Sequence, residues 1–441
     1  MSETASSKIL LREFAPQIER TGTWGKLWIT FLVGVVLLGV FALYWQVTRG
    51  HIVTGMRDNV VWGVYIVNFI FFMGISYAGA LLSGTLHLFH ASWRKPIIRM
   101  AEFITIISLL IGPGFIMMCI GRLDRLPNLI LFGRIQSPIT WDVIAISTDI
   151  FGCILFLYLA LLRDLAKMRD FDELKVSKWK KKLYKILALG YTGTPEQQIR
   201  LKKSTDIMAT MVISIAIIVY SVLAWIFSVT LQPGWHSTIF GPYFVIAAVY
   251  SGTGVLIVAM YFFRKVYHLE EHITLTHFVN VGVIMLVLAA FFGYFTFSEY
   301  LTKWYGSEKN DEQLIKILFD RYYTLFILSN YVGVLVPMIV VGFKKLRTIR
   351  NITVSAFIVI IALWINRYLI VVPTLESPYL PIEDARTAWA NYSATWVEWS
   401  LTAGGVALFC LLFTLASKMI PIVQISELKE EPVEPGDIYL K

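Results

Sequence analysis

The sequence predicts an all-α integral membrane protein with about ten transmembrane helices. Hydrophobic residues make up 57% of the 441 residues and charged residues only 16%, whereas soluble domains carry charge on about a quarter of their residues. The mean hydropathy is +0.65. Apolar runs recur along the whole chain, and each is long enough to cross a hydrocarbon core of about 30 Å.

Polar breaks between the apolar runs set the boundaries of the predicted spans. The spans are expected near 27–47, 60–88, 101–120, 140–162, 206–230, 242–263, 276–300, 321–342, 351–372 and 395–418. An even number of spans places both termini on one side of the membrane. The first 26 residues are polar and lack the short apolar core of a signal peptide, so we expect no cleaved leader.

The basic residues indicate the orientation of the chain. Most of the 39 Lys and Arg fall on the side of the N-terminus, above all in the loop 163–203. Because Lys and Arg are retained in the cytoplasm during insertion, both termini are expected to be cytoplasmic. The net charge of +9 is therefore interpreted as a surface facing anionic lipid headgroups, and no nucleic-acid partner is expected.

An internal repeat divides the spans into two groups. An aromatic-Gly-x-Tyr motif opens the second span at 62–65 and the sixth span at 240–243. The same offset relates two further pairs, Gly74 with Gly252 and Asp142 with Asp320. Because both copies start on the outer side, we expect parallel repeats. They would form two four-helix bundles, spans 2–5 and spans 6–9, with two peripheral helices.

The repeat gives a division of the chain into six segments, none of them a soluble domain of note. These are 1–26 (cytoplasmic N-terminal segment), 27–59 (first span and outer loop), 60–235 (first four-helix bundle, with the candidate site), 236–372 (second four-helix bundle), 373–418 (outer loop and last span) and 419–441 (cytoplasmic tail).

The outer loop between spans 3 and 4 carries the densest group of charges. It contains Arg122, Asp124, Arg125, Arg134, Ser137, Trp141 and Asp142. Quinol oxidation requires a carboxylate to accept protons, a donor to hold the opposite oxygen and an aromatic wall for the ring. An Arg–Asp network that merely holds the loop together is the alternative, and the composition of the loop leaves both open.

Charged residues within spans are costly and suggest a proton path. Asp142 and Asp149 lie seven residues apart, on one face of the fourth helix and about 10 Å apart in depth. Glu102 and Asp206 stand at the cytoplasmic mouths of spans 3 and 5 and would continue the path. The alternatives are a buried acid held by a neighbouring hydroxyl for Asp149, and helix-end stabilisation for the other two.

The sequence offers no pattern for a metal cofactor. Its three cysteines have no CxxC spacing, and none of its seven histidines lies in the middle of a span, where a haem would need them. We therefore expect no iron–sulfur cluster, haem or other metal in this chain. His236, Tyr243 and Asp320 are weaker candidates for a second site, in the second bundle.

At several motifs the chain resembles the NrfD/PsrC family of quinone-reactive membrane subunits, over roughly residues 25–425. The motifs are Trp62-Gly63-x-Tyr65, Gly121-Arg122-x-Asp124-Arg125, Ser137-Pro138-x-x-Trp141-Asp142, Trp235-His236-Ser237-Thr238-Ile239-Phe240-Gly241-Pro242-Tyr243-Phe244, Ile273-Thr274-Leu275-x-His277, Asn366-Arg367-Tyr368 and Thr395-Trp396-Val397-Glu398-Trp399. The ten-span form is similar to the membrane subunits of alternative complex III and of the menaquinone reductase complex.

This resemblance implies a substrate, a site and partners. The substrate would be menaquinone or ubiquinone, bound in the first bundle near the outer face. The implied site residues are Arg122, Asp124, Trp141 and Asp142, to which we add Ser137, Tyr65 and Asn68. The implied partners are an iron–sulfur subunit on the outer (periplasmic) face and further membrane, cytochrome or molybdopterin subunits, in a bacterial inner membrane.

Two residues depart from the family pattern. Leu123 stands where the family loop often has proline, and Cys119 stands where alternative complex III commonly has histidine. If that histidine contributes to quinol chemistry, another group must replace it here.

We therefore expect a quinol/quinone-binding subunit that is active only within a complex, and coupling of its reaction to proton translocation stays open. The two rivals are a non-redox transporter or ion pump and a passive membrane anchor for a peripheral redox complex.

Overall fold

The computed structural model describes residues 3–171, 173–306, 308–377 and 391–425, and every regular element in them is helical. In chain order the helices are α1 (Glu3–Glu19), α2 (Thr23–Arg49), α3 (Val64–Leu88), α4 (Ile98–Cys119), α5 (Asn128–Leu131), α6 (Pro138–Arg169), α7 (Lys178–Leu187), α8 (Pro195–Ser228), α9 (Phe240–Val266), α10 (Leu275–Gly306), α11 (Lys309–Asp320), α12 (Tyr323–Ile327), α13 (Gly333–Gly342), α14 (Ile349–Glu376) and α15 (Trp396–Met419).

The prediction of ten spans is confirmed. Ten described helices are long and apolar enough to cross a membrane, with α12 and α13 counted as one span, Tyr323–Gly342. Within that span the π-helical turn Leu328–Val332 joins the two helices. We call the side on which α2 begins and α15 ends the N side, and the opposite side the far side.

The first bundle consists of α3, α4, α6 and α8, and small residues let its helices approach closely. A Cβ atom on Gly79 would lie 2.5 Å from the Ala101 carbonyl oxygen in α4, and one on Gly84 would lie 2.8 Å from Ile213 in α8. Such glycines are typical of membrane helix interfaces, where packing replaces the hydrophobic effect as the driving force. Helix α3 is therefore enclosed along most of its length.

The second bundle consists of α9, α10, α12–α13 and α14, and it meets the first bundle along α3 and α9. A Cβ atom on Gly74 of α3 would lie 3.5 Å from Ala248 in α9, and one on Gly252 of α9 would clash with Ala78 in α3. The two glycines predicted to be equivalent thus both pack at the junction of the bundles. Trp62, the first residue of the first motif copy, stacks on Trp235, which lies five residues before the second copy, with their ring centroids 5.9 Å apart.

Helices α2 and α15 are the two peripheral helices that the sequence predicts, and they pack on each other. Gly39 and Gly404 face each other, and a Cβ atom on either would lie within 3.2 Å of the other's Cα atom. Gly405 packs on Phe115 of α4, so the pair lies against the first bundle. On the N side the short amphipathic helix α7 lies beside it, where the Tyr184 hydroxyl donates a hydrogen bond to the Met419 carbonyl (2.7 Å).

Candidate functional site

The loop between α4 and α6 lies at the far side of the first bundle. Arg122 and Asp124 form an exposed ion pair there, with Nη2 and Oδ2 2.9 Å apart. The hydrogen bond from Arg122 lowers the pKa of the Asp124 carboxyl and raises that of the guanidinium. Because both side chains are more than 60% exposed, the pair contributes little stability.

Helix α6 begins at Pro138 with Ser137 as its N-cap, and its first turns carry Trp141 and Asp142. The Trp141 indole donates a hydrogen bond to the Ile135 carbonyl, which fixes the ring against the loop while leaving it 36% exposed. Asp142 is only 7% exposed, and its Oδ1 has no hydrogen-bond partner among the described residues. The helix thus buries an unpaired carboxylate oxygen directly below the loop.

Asp149 lies two turns deeper and is completely buried. Its Oδ1 accepts a hydrogen bond from the Cys153 thiol (3.3 Å), while Oδ2 has no partner in the described part of the chain. Tyr77 of α3 interacts electrostatically with both Asp142 and Asp149, and its ring packs 4.9 Å from that of Tyr220. The two aspartates, which their spacing places on one face of α6, therefore both lie towards the middle of the first bundle.

Buried polar groups continue from Asp149 towards the N side. A cavity of about 10 Å³, lined by Cys153, Ser83 and Glu102 among others, lies between α3, α4, α6 and α8. This is about the volume that one water needs. Below the cavity Ser83 donates to Glu102 (3.4 Å), and Arg99 pairs with Glu102 (3.8 Å) and with Asp164 (3.0 Å). Glu102 is thus part of an interior polar column. The column also contains Arg99 and Asp164, two residues that sequence reasoning missed.

Asp206, the other residue predicted for the proton path, has a different environment. Its Oδ1 lies 2.7 Å from Nε2 of His87, and its side chain is 42% exposed. This pair links the ends of α8 and α3 at the N side. It stands at the edge of the bundle, where it bonds the two helices to each other.

Tyr65 and Asn68 lie on α3 but bond away from Asp142. The Tyr65 hydroxyl donates to Gln46 of α2. Asn68 donates to Thr402 of α15 (2.8 Å) and accepts from the indole of Trp364 in α14 (2.9 Å). Asn68 and Tyr77 are nine residues apart, which is half a turn of phase on a helix. The predicted quinone residues therefore lie on opposite sides of α3. Tyr65 and Asn68 point towards α2, α14 and α15, whereas Asp142 lies on the side of Tyr77.

The second-bundle candidates are also dispersed. Tyr243 is buried, and its hydroxyl accepts a hydrogen bond from Asn366 (2.9 Å). His236 and Asp320 are exposed, the latter at the end of α11 and before the span begins. Asp320 thus lacks the buried environment of Asp142, although the offset of the repeat relates the two. The neighbour of Asn366, Arg367, is buried over the ring of Phe244.

A buried network on the far side was not predicted. Glu398 accepts hydrogen bonds from the Gly55 amide (2.7 Å) and from the Tyr392 hydroxyl. Tyr392 in turn donates its amide to Glu376 (2.7 Å), and burial raises the pKa of its hydroxyl. The one local signal was the Thr395-x-x-Glu398 capping box that starts α15. The network ties the loop before α3 to the ends of α14 and α15.

The two departures from the family pattern occupy distinct positions. Leu123 is exposed on the loop, and the Cys119 thiol lies 4.0 Å from the Met56 sulfur. A histidine from a different segment, His51, lies beside the loop, with its ring 3.4 Å from where a Cβ atom of Gly121 would be. Burial lowers the pKa of His51 and favours its neutral form. Within the described ranges no three metal-ligating side chains come together.

Comparison with known proteins agrees with this architecture. Residues 52–377 match the model of the family described as polysulphide reductase, NrfD. The chain is 28% identical, over 246 residues, to a Halobacterium salinarum protein assigned as a membrane component of dimethyl sulfoxide reductase. That match spans 55% of this chain and about half, 53%, of the relative.

Two further relatives match almost end to end. The C component of the selenate reductase of Mesobacillus selenatarsenatis is 22% identical over 90% of this chain and 94% of its own length. An Hdr-like menaquinol oxidoreductase integral membrane subunit of Archaeoglobus fulgidus is 22% identical over 91% and 95%. With ten membrane-spanning helices among its described residues and a family match over most of its length, the chain belongs to the NrfD family of multi-pass membrane proteins.

Proposed function

We propose that the chain is the quinone-binding membrane subunit of a respiratory oxidoreductase complex. The family membership supports this, as do the relatives, each named as a component of a reductase or of a menaquinol oxidoreductase. In this proposal menaquinone or ubiquinone binds at the far-side mouth of the first bundle and exchanges electrons with a partner protein. The chain is active only within the complex.

The observation that carries the proposal is the buried, unpaired carboxylate oxygen of Asp142. Oxidation of a quinol to a quinone releases two electrons and two protons, and the reverse reaction takes them up. A carboxylate at the edge of the hydrocarbon core can exchange one of those protons with a quinol hydroxyl. Its burial with Oδ1 unpaired costs free energy, a cost that a ligand hydrogen bond would offset.

The neighbouring residues supply the remaining parts of a quinone site. Trp141, about one-third exposed, offers the aromatic wall, and Ser137 offers a hydroxyl at the start of α6. Arg122 and Asp124 are paired with each other and would orient the second quinone oxygen once a partner covers the loop.

The loop above Asp142 also carries a surface suited to a partner subunit. Ile130, Leu131, Phe132 and Ile135 are each at least 70% exposed and lie together in sequence. Exposed apolar clusters of this kind mark interaction sites. We propose that an iron–sulfur subunit docks here and takes or delivers the electrons, with cytochrome or molybdopterin subunits beyond it.

The polar column through the first bundle supports coupled proton movement. It runs from Asp142 through Asp149 and Cys153 to Glu102, with space for about one water between the last two. In the proposal this column carries protons between the quinone site and the N side. The Arg99–Asp164 pair would then form its N-side end.

The N side is assigned to the cytoplasm. The exposed lysines of α7 lie on this side, and basic residues favour the cytoplasmic face during insertion. The far side, with the candidate site, would then face the periplasm of a bacterium. The iron–sulfur partner would be periplasmic as well.

Photoaffinity labelling tests the position of the quinone. An azido-quinone irradiated in native membranes, followed by peptide mapping, is expected to label the segment 137–149. Excess unmodified quinone should suppress that label. Labelling confined to α14 and α15, around the Trp364 indole that bonds Asn68, would move the site to the other face of α3 and refute the role of Asp142.

A further inference from the structure

A groove at the N-side membrane boundary is separate from the candidate quinone site. It lies between the start of α2 and the ends of α9 and α15, beneath the end of α1, and has a volume of about 880 Å³. Its walls are largely aromatic and aliphatic, and they include Trp24, Trp28, Phe31, Phe262 and Phe263. Trp24 and Phe31 are seven residues apart, so the groove extends about 10 Å along α2 from the boundary into the membrane.

Two cations stand at the mouth of the groove. The Lys418 ammonium donates hydrogen bonds to the backbone carbonyls of Gln17 (2.9 Å) and Arg20 (3.1 Å). An ammonium has three donors, two of which these carbonyls take, and the group also lies 4.9 Å from the centre of the Tyr267 ring. The exposed guanidinium of Arg20 forms no ion pair with any residue that the structure describes. Lys180 of α7 does not line the groove but lies near it, because its ammonium donates a hydrogen bond to the Lys418 carbonyl (2.9 Å).

The acidic residue of the groove is already bonded. Glu13 Oε1 lies 2.8 Å from Nε2 of His272, and its single negative charge is outnumbered by the two cations Arg20 and Lys418 that line the groove. The groove thus combines a cationic mouth at the membrane surface with an apolar channel that descends into the bilayer. A phospholipid has the complementary form, with an anionic headgroup above two acyl chains.

We propose that this groove binds one anionic phospholipid, with its phosphate at Arg20 and Lys418 and its acyl chains against Trp28, Phe31 and Phe262. The descent of about 10 Å into the membrane favours a lipid over a soluble partner. The cations favour an anionic headgroup over a zwitterionic one. The bound lipid would join α1 to the ends of α2, α9 and α15.

Native mass spectrometry of the complex, titrated with phosphatidylglycerol in mild detergent, tests this. We expect one tightly held lipid in the wild type. Each positive charge removed should weaken its binding about fivefold, first in Arg20→Gln and again in the double variant that adds Lys418→Gln. Since the Arg20 guanidinium makes no described contact, that single variant should fold normally. Gly22→Phe should also displace the lipid, because a side chain there meets nothing within 4 Å and would project into the groove while every charge is kept.

The matched control removes equal charge from the same side of the membrane. Lys181 and Lys182 are exposed on α7, and their double change to glutamine should leave phosphatidylglycerol binding unchanged. Equal binding of phosphatidylcholine would contradict the headgroup assignment. Binding that survives both Arg20→Gln and Gly22→Phe, or that falls equally in the lysine control, would overturn the site in favour of diffuse surface attraction.

Discussion

Replacement of Asp142 by asparagine isolates the chemistry of the proposed site from its structure. The two side chains have nearly the same shape, and no described hydrogen bond to Oδ1 is lost. The fold and the assembly of the complex should therefore be retained. The amide cannot accept a proton from a quinol, and loss of a general base typically costs 10²–10⁴-fold in rate, or about 3–5 kcal/mol of transition-state stabilisation.

The assay is quinone-dependent electron transfer in membranes, with assembly checked by native electrophoresis. Asp142→Asn should lower turnover by at least about 100-fold at unchanged abundance of the complex. Asp58→Asn is the matched control, because Asp58 is exposed on the same side and its loss should leave turnover unchanged. Turnover of Asp142→Asn within about threefold of the wild type would refute the proton-exchange role.

Four further changes test the proton path, the docking surface and the packing of α3. Asp149→Asn should slow proton release into proteoliposomes while quinone-analogue binding persists; unchanged proton movement would contradict the column. Phe132→Glu should detach the partner subunit from the purified complex and leave the chain folded; full retention would contradict the docking surface. Asn68→Ala loses two hydrogen bonds and should lower the free energy of unfolding by about 1–3 kcal/mol, while turnover per assembled complex stays normal. Lost turnover at normal stability would place the quinone beside α14. Gly252→Ala should destabilise the chain by about 1–3 kcal/mol in thermal unfolding, because the added Cβ atom clashes with α3. Gly114→Ala is the control and should be neutral or slightly stabilising, since a Cβ atom there meets nothing within 4 Å. Equal effects of the two changes would contradict the α3–α9 packing.

The spans were predictable because each depends only on local composition. A run of apolar residues must form a helix in lipid, since every backbone polar group needs an internal partner. The π-helical turn at Leu328–Val332 has no such local signature and was not predicted. The alignment of Gly74 and Gly252 was predicted from the repeat, but their contact with the opposite bundle depends on tertiary packing.

The candidate site was predictable only where one helix carries it. Asp142 and Asp149 share a face because of their spacing, and the structure places both inside the first bundle. Asn68 has its partners on α14 and α15, about 300 residues away in sequence, and a single sequence offers no means to pair them. The same holds for Tyr392, which joins Glu376 to Glu398 across the far side.

The proposed quinone-binding function is decided by whether quinol reduces the clusters of a co-purified iron–sulfur subunit. The complex is isolated in mild detergent, its subunits, iron and bound quinone are determined together, and quinol is added while electron paramagnetic resonance follows the clusters. We expect a co-purifying iron–sulfur protein whose clusters exchange electrons with the quinone pool, with the exchange blocked in Asp142→Asn. A homogeneous lone chain with neither iron nor quinone would contradict this expectation and would favour a transporter without redox chemistry.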